Sequence, residues 1–196
     1  MEDLLPQLKD YNIVLGSGSP RRKELLTGLG LTFTTRVSHA NELISSEWKT
    51  AVIAEELAKM KAHELLSTLT ANELLITADT VVVTEEGVLN KPENEADALR
   101  MLGILSGKTH KVYTGVCLAT TKKMVHFSDC TEVQFSNLTP HEMQYYIQNY
   151  APFDKAGSYG AQDFIGLMGI ARLNGSYFNV MGLPTHRLYE ELKNFC

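Results

Sequence analysis

The sequence has three cysteines in 196 residues, Cys117, Cys130 and Cys196, and they lie far apart. It holds no CxxC or HExxH pattern, so neither a disulfide framework nor a familiar zinc site is supported. Long apolar runs are missing too: none approaches the ~20 residues that a membrane helix requires. There is no excess of positive charge either. Lys and Arg number 18 against 23 Asp and Glu, a net charge of −5. That balance gives no general attraction to nucleic acid or to an anionic membrane. Internal repeats, low-complexity tracts and Pro/Gly/Ser-rich linkers are absent. The opening MEDLLPQLKD is acidic and broken by Pro6, unlike a signal peptide. A reducing cytoplasm is the expected compartment.

What is present is ordinary for one globular domain, or for two small lobes sharing a core: 44% hydrophobic and 21% charged residues. YNIVLGS (11–17) predicts a short buried strand and LTFTTRVS (31–38) a second. Glu47 to about Leu69 is patterned as a helix, with Val52, Ile53, Leu57, Met60 and Leu65 near one face. The β-branched run ELLITADTVVV (73–83) predicts a central strand. NEADALRMLGIL (94–105) predicts a helix for which Gly107 suits the C-terminal cap. Strands follow at 111–120 and 129–138, with a turn at 121–124 between them. Thr139-Pro140 opens another helix. The tail predicts a Gly-rich loop at 157–169, a strand in YFNVMGL and a final helix after Pro184. Alternating elements with consecutive middle strands imply an α/β protein with a mixed sheet.

The stretch GSGSPRRKELL (16–26) sets positive charge where a helix should begin. Ser19 suits the N-cap, Pro20 the first helical position, and Leu25, Leu26 and Leu29 recur at helical spacing. Arg21, Arg22 and Lys23 then fall in the first turn, where unsatisfied N–H groups already make the field positive. Each cation there is disfavoured by roughly 0.3–1 kcal/mol. A capping box would want Glu or Gln where Arg22 stands. A bound anion explains the reversal. Ser17 and Ser19 offer hydroxyls, Gly16 and Gly18 let the backbone come close, and the arginines supply charge. The competing reading is a solvated helix start whose arginines pair with nearby carboxylates.

Two other stretches carry less than they suggest. GILSGKT (103–109) has three residues between its glycines where a Walker A loop needs four, and it follows a helix. GSGSP is neither a nucleophile elbow nor a dinucleotide fingerprint, because Arg21 stands at the last glycine position. Asp79 is more informative, since an unpaired carboxylate inside an apolar strand costs several kcal/mol. Either the strand ends at Ala78 and Asp79 caps a turn, or the carboxylate faces a cleft and holds a cation or water. Glu42, Lys59, Lys61, Lys91, Asp154, Lys155 and Gln162 are polar singles, each compatible by itself with a surface charge.

Taken together these segments resemble the Maf (septum formation inhibitor-like) family. SGSPRRKELL, LAKMKAHEL, ITADTVVV, NKPENEADALRMLGILSGKTHKVYTGV and PFDKAGSYGAQ…LNGSYFNVMGLP stand in the family's order and spacing, from about residue 11 to residue 190. The resemblance implies a nucleoside triphosphate pyrophosphatase of one domain spanning 1–196, with two lobes around one nucleotide cleft. It implies the fold shared by inosine triphosphate pyrophosphatases, an elongated mixed sheet flanked by helices. It places Ser17, Arg21 and Arg22 at the phosphate-binding motif, Glu42 at the acidic position after the second strand, and Lys61 in the LAxxKA segment. Asp79 matches the general base, Lys91 the lysine of Lys-Pro, and Lys155 that of DKAG. Arg21, Thr80 and Gln162 resemble the branch acting on dTTP and UTP rather than the one hydrolysing 7-methyl-GTP. The sequence departs from the family at Asn41, where an acid is usual, and at Asp163, where glycine is usual.

The implied reaction is water attack between the α and β phosphates, which needs charge neutralisation, in-line positioning and a base. Glu42 and Asp79 could hold a divalent cation, Mg²⁺ or Mn²⁺, together with the substrate phosphates. The family also suggests a homodimer, for which DFIGLMGIARL could supply an apolar patch. The alternative is a nucleotide-binding regulator of cell division or septum formation without essential catalysis. Nucleic-acid binding is disfavoured by the acidic charge and by the lack of interleaved basic and aromatic residues.

Overall fold

A computed structural model describes residues 4–41, 43–45 and 47–195. In chain order the elements are β1 (Asn12–Leu15), α1 (Pro20–Gly28), β2 (Phe33–Thr35), α2 (Ile53–Leu66), β3 (Glu73–Thr84), β4 (Gly87–Leu89) and α3 (Glu95–Leu105). There follow β5 (Thr109–Ala119), β6 (Met124–Phe135), α4 (Pro140–Tyr150), α5 (Phe164–Gly169), β7 (Ile170–Asn174), α6 (Tyr177–Met181) and α7 (Thr185–Lys193). The strands form a mixed seven-stranded sheet in the order β2-β1-β3-β5-β6-β7, with β4 paired to β3. This is the α/β class the alternation of elements implies. The chain divides into two compact units, Met1–Asp79 with Thr114–Asp129 and Gly182–Cys196, and Thr80–Tyr113 with Cys130–Met181.

In the first unit β1 runs parallel to both β2 and β3, with Ile13 opposite Phe33 on one side and Leu74 on the other. Parallel neighbours need crossovers, and α1 and α2 supply them. Ala58 and Ala62 of α2 pack with Val14, Leu75, Cys117 and Ala119. At Gly115 of β5 a Cβ would lie 2.2 Å from the Ala54 carbonyl oxygen, so α2 passes close to the strand there.

The second unit has its own core. Ala98, Met101, Leu102 and Leu105 of α3 and Met143, Tyr146 and Ile147 of α4 bury faces at helical spacing against Val112, Val133, Phe135 and Tyr159. The helix starts follow local chemistry: Asn94 Oδ1 accepts from Asp97 N at 3.0 Å. Thr139 and Glu142 form a reciprocal capping box. Gly107, at φ +68°, follows the end of α3, so GILSGKT is a helix terminus.

Several boundaries differ from expectation. The helix expected from Glu47 begins only at Ile53, after a 3-10 turn at Thr50–Val52. The strand expected at 129–138 runs from Met124 to Phe135. The loop expected at 157–169 contains α5, and β7 then pairs antiparallel with β6, Glu132 opposite Asn174. YFNVMGL, expected as a strand, is helical over Tyr177–Met181. Ser176 Oγ accepts from Asn179 N at 3.3 Å, a capping bond that outweighs the β propensity of Tyr, Phe and Val. Among the described residues no helix is long and apolar enough to cross a membrane.

Candidate functional site

In the first unit the chain leaves β1 through Gly16, whose N–H donates to the Ile76 carbonyl at 2.8 Å. A Cβ at Gly16 would sit 2.5 Å from Thr77 Cγ2, so glycine alone lets the loop lie against β3. Ser17 follows and is buried. Its Oγ accepts from Ser19 N and from Arg22 Nη1, both at 3.2 Å. Ser19 occupies the N-cap position as its sequence predicts, but its own hydroxyl makes no capping bond. Arg22 Nε donates to the Gly182 carbonyl at 2.9 Å, so its guanidinium is held from two sides. The first turn of α1 contains no acidic residue to offset the positive field of the helix start.

A second constellation arises where α2 meets β3. Thr77 Oγ1 donates to the Ala58 carbonyl at 2.7 Å and fixes the helix against the strand. Asp79 lies two residues further along β3 and so on the same face. Lys61 lies three residues beyond Ala58 and so on the same side of α2. The two meet in an ion pair, Lys61 Nζ to Asp79 Oδ1, with side-chain exposures of 11% and 12%. The strand does not end at Ala78: it continues to Thr84, and the pairing with Lys61 answers the cost of a buried carboxylate. Lys59, by contrast, pairs with Glu56 on its own helix at 2.9 Å.

The second unit holds Thr80, Lys91, Lys155 and Gln162. Thr80 is half-buried and Lys91 exposed. The Gly157 N–H donates to the Asn90 carbonyl at 3.0 Å, which ties the chain beside Lys91 to the segment beside Lys155. Gly157, at φ +67°, turns the chain there, and a Cβ on it would press on Val82 at 3.1 Å. Lys155 Nζ contacts Asp154 Oδ1 at 2.7 Å and Asp163 Oδ2 at 3.6 Å. Gln162 Oε1 is buried without a hydrogen-bond partner.

The structure thus brings Ser17 to Arg22 and Lys61 to Asp79 in one unit. In the other it brings the Lys91 and Lys155 segments together, with Gln162 next to Asp163. Arg21 is half-buried in the first turn of α1. Glu42 lies outside the described residues. Thr77, and Tyr146, whose hydroxyl donates to Asp163 Oδ2 at 2.8 Å, are not legible as positioning residues in the sequence: each sits at an apolar-looking position and acts through one hydroxyl. Among the described residues no three or more of His, Cys, Asp and Glu form a group that could hold a metal ion. Asp79 is a single hard carboxylate, a donor that suits Mg²⁺ bound largely through phosphate and water.

The fold is a mixed α/β sheet that sets a basic helix start beside a glycine loop and buries a Lys–Asp pair. The particular family follows from comparison. The chain matches the Maf-like protein family over residues 12–195, and it belongs to that family. It is 49% identical to a dTTP/UTP pyrophosphatase of Phocaeicola vulgatus over 97% of this chain and 99% of that one. It is 47% identical to a dTTP/UTP pyrophosphatase of Parabacteroides distasonis over 98% of this chain and the whole of that one. Among solved structures the Ham1 protein of Staphylococcus aureus is similar at 14% identity and a TM-score of 0.49, over 92% of this chain and 99% of that one. That likeness is too loose to bear on function.

Proposed function

We propose that this chain is a nucleoside triphosphate pyrophosphatase that hydrolyses dTTP and UTP to the monophosphate and pyrophosphate, a nucleotide-pool cleansing role. The observation that carries the reading is the buried Lys61–Asp79 pair, in a chain nearly half identical throughout to proteins named for that activity. Asp79 takes a proton from the attacking water, and Lys61, paired with it, orients the carboxylate. Ser17, Arg21 and Arg22 are the phosphate contacts of the first unit, and Lys91 and Lys155 those of the second. Arg22, already held by Gly182 and Ser17, presents its charge without reorganising. Glu42 and Asp79 would hold Mg²⁺ or Mn²⁺ with the substrate, where the cation neutralises phosphate charge.

Thr80 and Gln162 read the base. The orphaned Gln162 Oε1 is an acceptor, and the N3–H shared by thymine and uracil is a donor that satisfies it. A cytoplasmic homodimer fits the same reading: Leu167 on α5 is 79% exposed and Tyr145 on α4 is 45% exposed.

Pyrophosphate release from dTTP, UTP, CTP, GTP and 7-methyl-GTP, with and without Mg²⁺, tests the proposal. Metal-dependent release favouring dTTP and UTP is expected. Release favouring 7-methyl-GTP would overturn the substrate, and no turnover by folded protein would overturn catalysis in favour of a binding role. Asp79→Asn should lose turnover by about two orders of magnitude or more while retaining nucleotide binding. Near-normal activity would remove Asp79 from the mechanism.

A further inference from the structure

The turn that carries Gln162 is braced in a way that base reading alone does not require. Asp163 N donates to the Gly160 carbonyl at 3.1 Å and closes the turn. Tyr146, fully buried on α4, donates its hydroxyl to Asp163 Oδ2 at 2.8 Å. The same phenol oxygen accepts from the Gly160 N–H at 3.1 Å. Both ends of the turn are therefore fastened to one side chain of a packed helix. The fit is tight as well, since a Cβ on Gly160 would lie 2.6 Å from Asp163 Oδ2. Burial and the Asp163 hydrogen bond both push the Tyr146 phenol well above its ordinary pKa, so it remains a donor.

We propose that Asp163 and Tyr146 are positioning residues for base selection: they lock the Gly160–Asp163 turn so that Gln162 reaches the base from one fixed place, with its buried Oε1 lodged towards it. This rests on the dTTP/UTP reading above. The two ends of a glutamine amide have nearly the same shape, one accepting and the other donating. A mobile glutamine can turn over to suit either uracil, which has a donor at N3, or cytosine, which has an acceptor there. A glutamine whose backbone is fixed has less room to repack for the second arrangement and so distinguishes them. The rigidity of the turn, and not the amide alone, then sets the preference.

The test compares kcat/KM for UTP and CTP, which carry the same triphosphate, so that effects on phosphate binding or on Lys155 cancel in the ratio. Tyr146→Phe and Asp163→Ala should each lower the UTP-to-CTP ratio by about tenfold, the order of one net hydrogen bond, chiefly by lowering KM for CTP. Asp163→Asn keeps an acceptor for Tyr146 and should stay within about twofold of the wild type. Melting temperatures are read alongside. A ratio unchanged in Tyr146→Phe and Asp163→Ala, whatever the melting temperatures do, overturns the role and leaves the pyrophosphatase reading standing. Asp163→Asn losing discrimination as fully as Asp163→Ala would also overturn it, since the hydrogen bond would then not be the agent. A wild-type protein that turns over neither nucleotide overturns both readings, and that failure shows before any variant is made.

Discussion

Replacing Lys61 by methionine removes the ammonium and keeps most of the apolar stem. Asp79 is left behind as a carboxylate with its side chain 12% exposed. Removing one partner of a buried pair costs about 3–5 kcal/mol, because the remaining charge has lost its compensation. The small opening to solvent puts this site at the lower end, about 3 kcal/mol. In a chain of this length each kcal/mol moves the melting temperature by about 2–4 °C, so a fall of about 6–12 °C is expected. The structure supplies its own control. Lys108 and Glu86 also pair, at 3.3 Å, but their side chains are 59% and 55% exposed. Lys108→Met should therefore cost less than about 1 kcal/mol.

The assay is urea unfolding followed by far-UV circular dichroism and by the fluorescence of Trp48, the single tryptophan, which lies in the same unit as the pair. Coincident transitions establish two-state behaviour for the comparison. The double variant Lys61→Met/Asp79→Leu discards both charges and should recover to within about 1 kcal/mol of the wild type. Equal, small losses for Lys61→Met and Lys108→Met would refute the reasoning, since depth would then not govern the strength of the pair.

Three further outcomes follow from the geometry. Burial pushes the His110 imidazole down to about 4, so below pH 6.5 the unfolded chain takes up a proton that the folded one refuses. Stability should fall as pH drops from 6.5 towards 4, by up to about 1.4 kcal/mol per unit from this group, and urea midpoints of His110→Gln should lack that slope. Glu73 is held below the usual carboxylate range first by the Thr70 N–H and then by Arg36. A depressed carboxyl stabilises above its unfolded pKa and loses that effect as pH falls through the folded one, so Glu73→Gln should be less stable than the wild type at pH 7, by a margin that narrows as pH is lowered through the acid range. Gly115→Ala would drive a Cβ to 2.2 Å from the Ala54 carbonyl oxygen. The backbone there cannot yield as a side chain would, and a loss of about 1–3 kcal/mol is expected in thermal unfolding.

What the sequence discloses about this molecule depends on whether a residue acts through its neighbours in the chain or through distant ones. Thr139 with Glu142, and Gly107 at the end of α3, act locally, and the helices they bound lie where pattern reading puts them. The α6 segment was also local in principle: Ser176 caps it, and Gly175 at φ +133° and Gly182 at φ +113° bracket it. Its aromatic and β-branched side chains point to a strand, and the cap decides otherwise. Asp79 is different in kind. Pattern alone leaves open whether it ends a strand or stays buried with a cation, because the answer lies in Lys61, eighteen residues earlier. Thr77 settles it by seating Ala58, and a threonine in a β-branched run looks like strand propensity and nothing more. Tyr146 is hidden for the same reason, an amphipathic helix position whose hydroxyl finds a turn fourteen residues away. Such residues share one property: an apolar body satisfies the local pattern, while a single polar atom serves a contact that only the folded chain creates. Hydroxyl-bearing residues at core positions are therefore where positioning groups hide in a sequence of this kind.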